Sequence, residues 1–484
     1  MEVNEAAPTD QAPAAEPDPR RWRILGVSLV VGFMSLLDVT IVNVAIPSIQ
    51  EGLDTSASTV QWVVSGYALA FGLVLVTGGR LGDAFGRRRL MLIGLVLFIV
   101  TSAAVGIAPN VELVIVARLL QGAAAGLLTP QNSGLIQQLF TGAERGRAFG
   151  LFGLTVSVSS ALGPVLGGLI IAAFGEEDGW RWIFLVNVPI GLVALVAVAR
   201  LVPRKPRQAG SARPQLDPVG AVLLGLGVLA LLYPLVSIEG GTYGWLALLP
   251  AVPALFWGFV RWEARVVRRG GSPLLDVQLL RRTQDYASGI AIGSLYFVGF
   301  TGLVLVLSVH LQDALGLTPL ATGALITGFA VGSAISAPLA GRAVSRVGRP
   351  LTVGALVVVL VAVLALAVLL PGRSGSELWP VMVPLLVLGG LGGGAVISPN
   401  LTLSLADVPP RMGGAAGGAL QTGQRIGSAI GSALGVTVYG LVLTSYGAGA
   451  GLRAALLTTA VMVTAALVVA VLALRHRAPS SITQ

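Results

Sequence analysis

Cysteine is absent from this chain, and lysine occurs once, at Lys205. The missing cysteines exclude disulfide frameworks, thiolate metal sites and cysteine nucleophiles, and they leave the redox compartment unread. The lone lysine forms no Walker A motif, so ATP hydrolysis by this chain is excluded as an energy source. Histidine is nearly absent too. His310 and His476 stand without ligand-type neighbours, and no metal or other cofactor is expected. Charge is scarce: 11% of the 484 residues are Asp, Glu, Lys or Arg, against about 25% in an ordinary soluble domain. What fills the chain instead is apolar, 55% of residues with a mean hydropathy of +0.85. A water-soluble core cannot hide that much apolar surface, so the solvent for most of the chain is lipid. The net charge of +9 then reports topology rather than a nucleic-acid partner.

Residues 1–23 are rich in Ala, Pro, Asp and Glu and read as a disordered tail. Arg20, Arg21, Trp22 and Arg23 open the first apolar run, which is too long for a cleavable signal peptide and has no small-residue cleavage site after it. A crossing needs roughly 20 mostly apolar residues. Fourteen segments qualify, at about 24–49, 60–79, 89–108, 112–138, 147–174, 182–200, 217–237, 244–262, 286–311, 320–340, 350–371, 378–404, 413–443 and 453–474. The arginines test that count. Only Arg181, Arg373 and Arg453 fall in loops on one side, and Arg118 and Arg425 fall inside spans. The rest, with Lys205, lie on the other side. This alternation obeys the positive-inside rule with both termini cytoplasmic in a plasma or inner membrane, and a missed span would scramble it.

The chain repeats itself. Gly79-Arg80-Leu81-Gly82-Asp83-Ala84-Phe85-Gly86-Arg87 after span 2 is matched by Gly341-Arg342-Ala343-Val344-Ser345-Arg346-Val347-Gly348-Arg349 after span 10. Thr129-Pro130-Gln131-Asn132 in span 4 is matched by Ser398-Pro399-Asn400 in span 12. The expected fold is all-α and membrane-integral: a six-helix bundle over 24–202, a linker over 203–284 and a second bundle over 285–475, with a tail at 476–484. The linker carries an inserted hairpin (217–262) and an amphipathic cytoplasmic segment, Ser272 to Leu280. Two six-helix repeats with a site at their interface is an architecture of secondary transporters.

Asp38 is the one acid in the middle of an apolar run, and a charge at bilayer depth is costly enough to imply a use. At 1.5 Å per residue it lies ~21 Å from the inner boundary of its span. Arg118 lies ~9 Å from the outer boundary of a ~30 Å core, at about the same level. Burial favours the neutral carboxyl and a nearby guanidinium favours the charged one, a balance suited to gaining and losing a proton. A fixed ion pair between spans 1 and 4 is the plainer reading. Arg425 in span 13 must find an acceptor or a wet cavity, either substrate itself or backbone carbonyls and Asn400.

At these residues the chain resembles the fourteen-helix drug:proton antiporter branch of the major facilitator superfamily, from Arg23 to Arg477. Leu37-Asp38-Val39-Thr40 through Asn43 to Pro47 is similar to that branch's first-helix signature. Gln61-Trp62-Val63-Val64-Ser65-Gly66-Tyr67 is similar to its second helix, and Gly79 to Arg89 to the loop between helices 2 and 3. Arg118-Leu119-Leu120-Gln121-Gly122 resembles the fourth-helix motif, and Gly163-Pro164-Val165-Leu166-Gly167-Gly168 the fifth-helix motif of antiporters. Trp180-Arg181-Trp182-Ile183-Phe184 with Asn187-Val188-Pro189 also fits.

The resemblance implies alternating access, with Asp38 carrying the coupling proton and Arg118 tuning it. Gly79, Asp83, Gly86 and Arg87 are expected to form a conformational latch, weaker in the second copy because Ser345 replaces the acid. Gly163, Pro164, Gly167 and Gly168 are expected to combine a kink with close packing. A transport cavity needs polar and aromatic walls. Candidates are Asn43, Trp62, Tyr67, Gln121, Gln131, Asn132, Asn400, Gln421 and Arg425, with Ser398 and Gln424 beside them.

The expected partners are the lipid bilayer, protons and a small lipophilic or amphiphilic substrate, with no nucleic acid and a monomeric state. No catalytic constellation marks an enzyme. The function implied is proton-coupled multidrug or antibiotic efflux. The alternatives are an exporter of one endogenous metabolite, a proton symporter or importer, and a transporter-like sensor.

Overall fold

The computed structural model describes residues 18–175, 177–204, 216–239 and 244–475. Most of the N-terminal tail, the linker around Lys205 and the tail from 476 lie outside the described residues. Among the described residues, fourteen helices are long and apolar enough to cross a membrane: α1 (Arg21–Gly52), α2 (Thr59–Phe85), α3 (Arg87–Gly106), α4 (Val111–Leu139), α5 (Gly142–Phe174), α6 (Gly179–Leu201), α7 (Pro218–Leu235), α8 (Gly244–Arg268), α9 (Asp285–Ala314), α10 (Pro319–Val347), α11 (Arg349–Leu369), α12 (Gly375–Ser404), α13 (Pro410–Tyr446) and α14 (Ala448–Arg475). Each replaces one of the spans read above, extended by a turn or so at many ends. Polar caps account for part of the extension. Asn110 Oδ1 accepts Leu113 N–H at 3.0 Å and Thr318 Oγ1 accepts Ala321 N–H at 3.3 Å, satisfying first-turn donors that the apolar pattern does not mark.

Gly86 and Gly348 hold the repeated turns. With φ of 97° and 68° they end α2 and α10 and lead straight into α3 and α11, a backbone shape that L side chains resist. The helix pairs repeat as well. The pairs α2–α4, α1–α5, α3–α4 and α3–α6 in the first bundle correspond to α10–α12, α9–α13, α11–α12 and α11–α14 in the second. The bundles meet through α2 on α13 and α5 on α10, the same two members of each repeat exchanged. Glycine makes both crossings close. A Cβ on Gly79 would sit 2.1 Å from Gly414 O, and one on its repeat partner Gly341 would sit 2.5 Å from Gly146 O.

The hairpin α7–α8 covers only one of these two crossings. Leu224, Val228, Leu232 and Phe259 pack with Leu69 and Val76 of α2 and Ala419 of α13. The amphipathic segment read over Ser272–Leu280 differs in the structure. Only Val277–Arg282 is helical, started by Asp276 Oδ1 accepting Gln278 N–H at 2.9 Å. Leu274 and Leu275 ahead of it are buried beneath the hairpin rather than facing a membrane surface.

Candidate functional site

Asp38 lies midway along α1 and is 1% exposed. Arg118 and Gln121, one turn apart on α4, present one face to it. Arg118 Nη1 donates to Asp38 Oδ2, closing a salt bridge between two side chains withdrawn from solvent. The other carboxylate oxygen accepts Gln121 Nε2 at 3.2 Å and Asn187 Nδ2 at 3.0 Å. Both amides also donate to Ser102 Oγ, at 3.1 and 3.2 Å, and that hydroxyl donates to Phe184 O at 2.8 Å. Arg118 spends Nε on Val63 O at 3.0 Å and shares Nη1 with Gln121 Oε1 at 2.9 Å, while Nη2 is buried without a partner. Its guanidinium carbon lies 4.1 Å from the ring centre of Tyr67 and 5.3 Å from that of Phe184. Five helices, α1, α2, α3, α4 and α6, thus converge on one charge pair. Such a pair survives burial only when its remaining bonds are supplied, and here they are supplied save for Nη2.

Ser102 and the role of Asn187 were not singled out in the sequence. Ser102 sits in an otherwise ordinary apolar span. Asn187 carried a signal: it opens the second piece of α6 immediately after a turn at Val186, where a side-chain amide is cheap to place.

Beside this centre the fifth-helix motif meets α1. A Cβ on Gly163 would lie 2.1 Å from Thr40 Oγ1, and one on Gly167 would lie 3.0 Å from Ile41 O. Pro164 stands inside the helix between them. Gly168 faces open space and takes no part in the contact.

The latch residues form a bridge between bundles. Asp83 Oδ1 and Oδ2 accept the N–H groups of Gly414 and Ala415, at 3.1 and 2.9 Å, at the start of α13. The carboxylate therefore caps a helix N-terminus in the other half. Arg87 Nη2 donates to Asp83 Oδ1 and to Pro410 O, both at 2.8 Å, and its Nη1 donates to Gly134 O. Gln137 Nε2 to Leu405 O at 2.7 Å, Gln421 Nε2 to Ser133 Oγ at 3.1 Å and Ser157 Oγ with Ser333 Oγ at 2.7 Å join the same halves. The Asp83, Arg87 and Gln137 bonds lie at the Arg-rich helix ends, where they hold the bundles together, and the serine pair lies midway along α5 and α10.

Several expected cavity residues are placed differently. Gln131 bonds Gly78 O and Leu127 O at 2.9 and 2.8 Å, and Asn132 Oδ1 accepts Ser28 Oγ–H. Asn400 bonds Gly289 O at 2.8 Å, and Gln421 crosses to Ser133 as above. All four are buried in seams between helices: Gln131, Asn132 and Asn400 within their own bundles, and Gln421 between the two. Trp62 turns to the hairpin, its ring tilted against Tyr233 at 5.5 Å between ring centres. Tyr67 is buried with its hydroxyl on Ser35 O at 3.0 Å. Asn43 is exposed. Arg425 does not meet Asn400. It lies over Phe71 of α2, 4.6 Å from the ring centre, reaching from one bundle to the other.

Residues 28–271 and 290–484 match the family model of the Major Facilitator Superfamily. The chain belongs to that superfamily. It is 38% identical over 428 residues to the probable actinorhodin transporter of Streptomyces coelicolor, covering 87% of this chain and 73% of that one. It is 33% identical over 444 residues to the tetracenomycin C resistance and export protein of Streptomyces glaucescens, covering 90% and 78%. In three dimensions it matches the crystal structure of the human organic anion transporter MFSD10 with a TM-score of 0.68 at 19% identity, over 93% of this chain and all of that one, a likeness of fold. The chain is a multi-pass membrane transporter of small molecules.

Proposed function

We propose that this protein exports a lipophilic or amphiphilic small molecule in exchange for protons, by alternating access between its two bundles. The observation that carries the reading is the buried Asp38–Arg118 pair with its Gln121, Asn187 and Ser102 shell. Neutralising Asp38 with a proton weakens its bond to Arg118, while Gln121 and Val63 O still hold the guanidinium. Helix α1 is then freer to shift against α4, and the shift passes to α5 through the tight Thr40–Gly163 contact. The Arg-rich side is taken as cytoplasmic, with both termini there, and Asp83 and Arg87 hold it shut. Arg425 over Phe71 is a cation at the boundary of the halves, suited to the polar end of an amphiphile. The chain works as a monomer, with the proton gradient and no resident cofactor.

Some relatives are named for single antibiotics, actinorhodin and tetracenomycin C, and others for multidrug resistance or drug efflux. The first group supports, as a second reading, a transporter dedicated to one compound. The test is proton movement in reconstituted vesicles on adding substrate, screened over dyes and antibiotics of unrelated structure. Asp38→Asn should bind substrate yet release no protons. Normal proton-driven efflux by that variant overturns the proposal, and response to one compound alone selects the dedicated exporter.

A further inference from the structure

Besides Asp38 and the Arg349-paired Asp285, two more acids are buried among the described residues, and they lie together. Asp217, immediately before α7, is 7% exposed, and Glu263 on α8 is 0% exposed. A methyl carbon placed on Gly220 would lie 2.5 Å from Asp217 Oδ2 and 2.5 Å from Glu263 Oε1, so the two carboxyls converge on one spot. Their surroundings are unequal. Asp217 accepts Trp262 Nε1 at 2.9 Å on each oxygen and Gly220 N–H at 2.8 Å. Glu263 is held more weakly, by a long bond from Leu274 N–H to Oε1 at 3.3 Å with Leu275 N–H and Asp217 close by.

Two like charges this close, withdrawn from water, cannot both persist, and one carboxyl keeps its proton. Asp217, bonded by Trp262 and Gly220, is the group placed to carry the charge, and Glu263, poorer in donors, is the one placed to keep the proton. The charged group facing them across a packed element is Arg80 of α2, which lines with Asp217, Thr77 and Leu274 a cavity of about 130 Å³. Arg80 Nε is buried there without a partner. The α13 surface toward the hairpin is apolar, through Ile426 and Ala429. On the segment that closes the site, Asp276 is engaged in capping Gln278. Arg261 on α8 lies over Trp257, 4.7 Å from its ring centre.

We propose that Asp217 and Glu263 form a second proton-binding site, built into the inserted hairpin and distinct from Asp38. One proton leaves a single negative charge opposite Arg80. Its loss leaves two in an apolar shell, which must either draw Arg80 across or loosen the hairpin from α2. Arg80 lies three residues before Asp83 of the latch, so occupancy of this site biases closure of the Arg-rich side. Arg342, the repeat partner of Arg80, faces instead a cavity of about 400 Å³ with Arg147, Trp22, Leu151 and Pro338. The control is thus confined to the face that the hairpin covers.

The experiment is pH-difference infrared spectroscopy of the full-length protein in vesicles, in the carboxylic C=O stretching region, on an Asp38→Asn background so that the other site is silent. A buried protonated carboxyl band that titrates away on raising the pH is expected. It should be lost in Glu263→Gln, and lost or moved to markedly lower pH in Asp217→Asn, since removing the neighbouring charge eases ionisation. The transport rate of Glu263→Gln, with Asp38 intact, should lack one inflection of the wild-type pH profile. Glu263→Gln mimics the protonated side chain in shape, so folding is retained. A band unmoved by both variants, no band at all, or one that emerges only after chelation of a bound cation each overturns the proposal, and none of these outcomes bears on Asp38.

Discussion

Asp83 accepts two backbone N–H groups at the start of α13, whereas Ser345, at the corresponding place in the second repeat, bonds only Arg342 O in its own helix. The flanking arginines diverge in the same way. Arg87 reaches across to Pro410 O. Arg349 stays within its bundle, on Asp285 Oδ1 at 2.9 Å and Asn400 Oδ1 at 3.4 Å. One repeat therefore supplies a bridge between halves, and the other uses the same arginine as an internal brace.

Asp83→Ala should release the closed side. Hydrogen bonds to a charged group are each worth about 1.5–3 kcal/mol. Losing two of them is expected to raise the population open to the Arg-rich side by a factor on the order of 100–10,000 at about 1.4 kcal/mol per decade. The absence of native cysteine makes the measurement simple. Spin labels on two introduced cysteines, one at Arg89 and one at Arg411, report the distance distribution. An unchanged distribution would show that Asp83 is only a local cap.

Asp285→Asn tests the other arm. It removes the charge partner of buried Arg349, and breaking a buried pair costs about 3–5 kcal/mol. The thermal midpoint should fall, while the label distances between bundles in the surviving folded fraction should match the parent. A shift in those distances would give Arg349 a share in the latch.

How much of this was legible beforehand depended on whether the signal was one-dimensional. Fourteen crossings and their alternation follow from apolar length and arginine placement, which read directly along the chain. Asp38 was legible because a lone acid in an apolar run needs no knowledge of its neighbours. Which face of a transmembrane helix meets a neighbour is not legible in the same way, since lipid and helix partner are both apolar and the periodic contrast is weak. That is why the sequence marks Gln131, Asn132, Asn400 and Gln421 as polar wall candidates without showing the helix contacts they make in this closed arrangement. Asp217 and Glu263, and likewise Asp285 and Arg349, were passed over because each lies at a helix end, where a charge is ordinary. Only the fold brings each pair together.

Arg118→Ala should be far more damaging to the fold than Asp38→Asn with Arg118→Gln combined. The single change strands a buried carboxylate and is expected to cost about 3–5 kcal/mol. The double change leaves two neutral groups that Gln121, Asn187 and Ser102 can still bond. Thermal unfolding in detergent should therefore show a large loss for the single variant and substantial recovery for the double. Proton release on substrate addition should be absent in both. Additive destabilisation would mean that the two side chains are not energetically coupled, against the geometry of the site.

The fifth-helix motif offers a sharper contrast, because two glycines five residues apart meet different surroundings. Gly163→Ala puts a methyl group 2.1 Å from Thr40 Oγ1, closer than any real contact. Thr40 is itself held by its bond to Ser159 O at 3.1 Å, so it cannot swing away freely, and α5 must be pushed off α1 beside Asp38. Gly168→Ala meets nothing within 4 Å and removes only backbone freedom, which favours a helix by about 1 kcal/mol. Transport by Gly163→Ala should fall at least about tenfold, the equivalent of roughly 1.4 kcal/mol on the rate-limiting step, with Gly168→Ala close to the parent. Thr40→Ala introduced with Gly163→Ala should restore part of the loss, because it removes the atom in collision. Initial rates of substrate efflux from vesicles, at matched protein levels, decide it. Equal loss in both glycine variants, or no rescue by Thr40→Ala, would mean that the motif acts through helix flexibility instead of through its contact with α1.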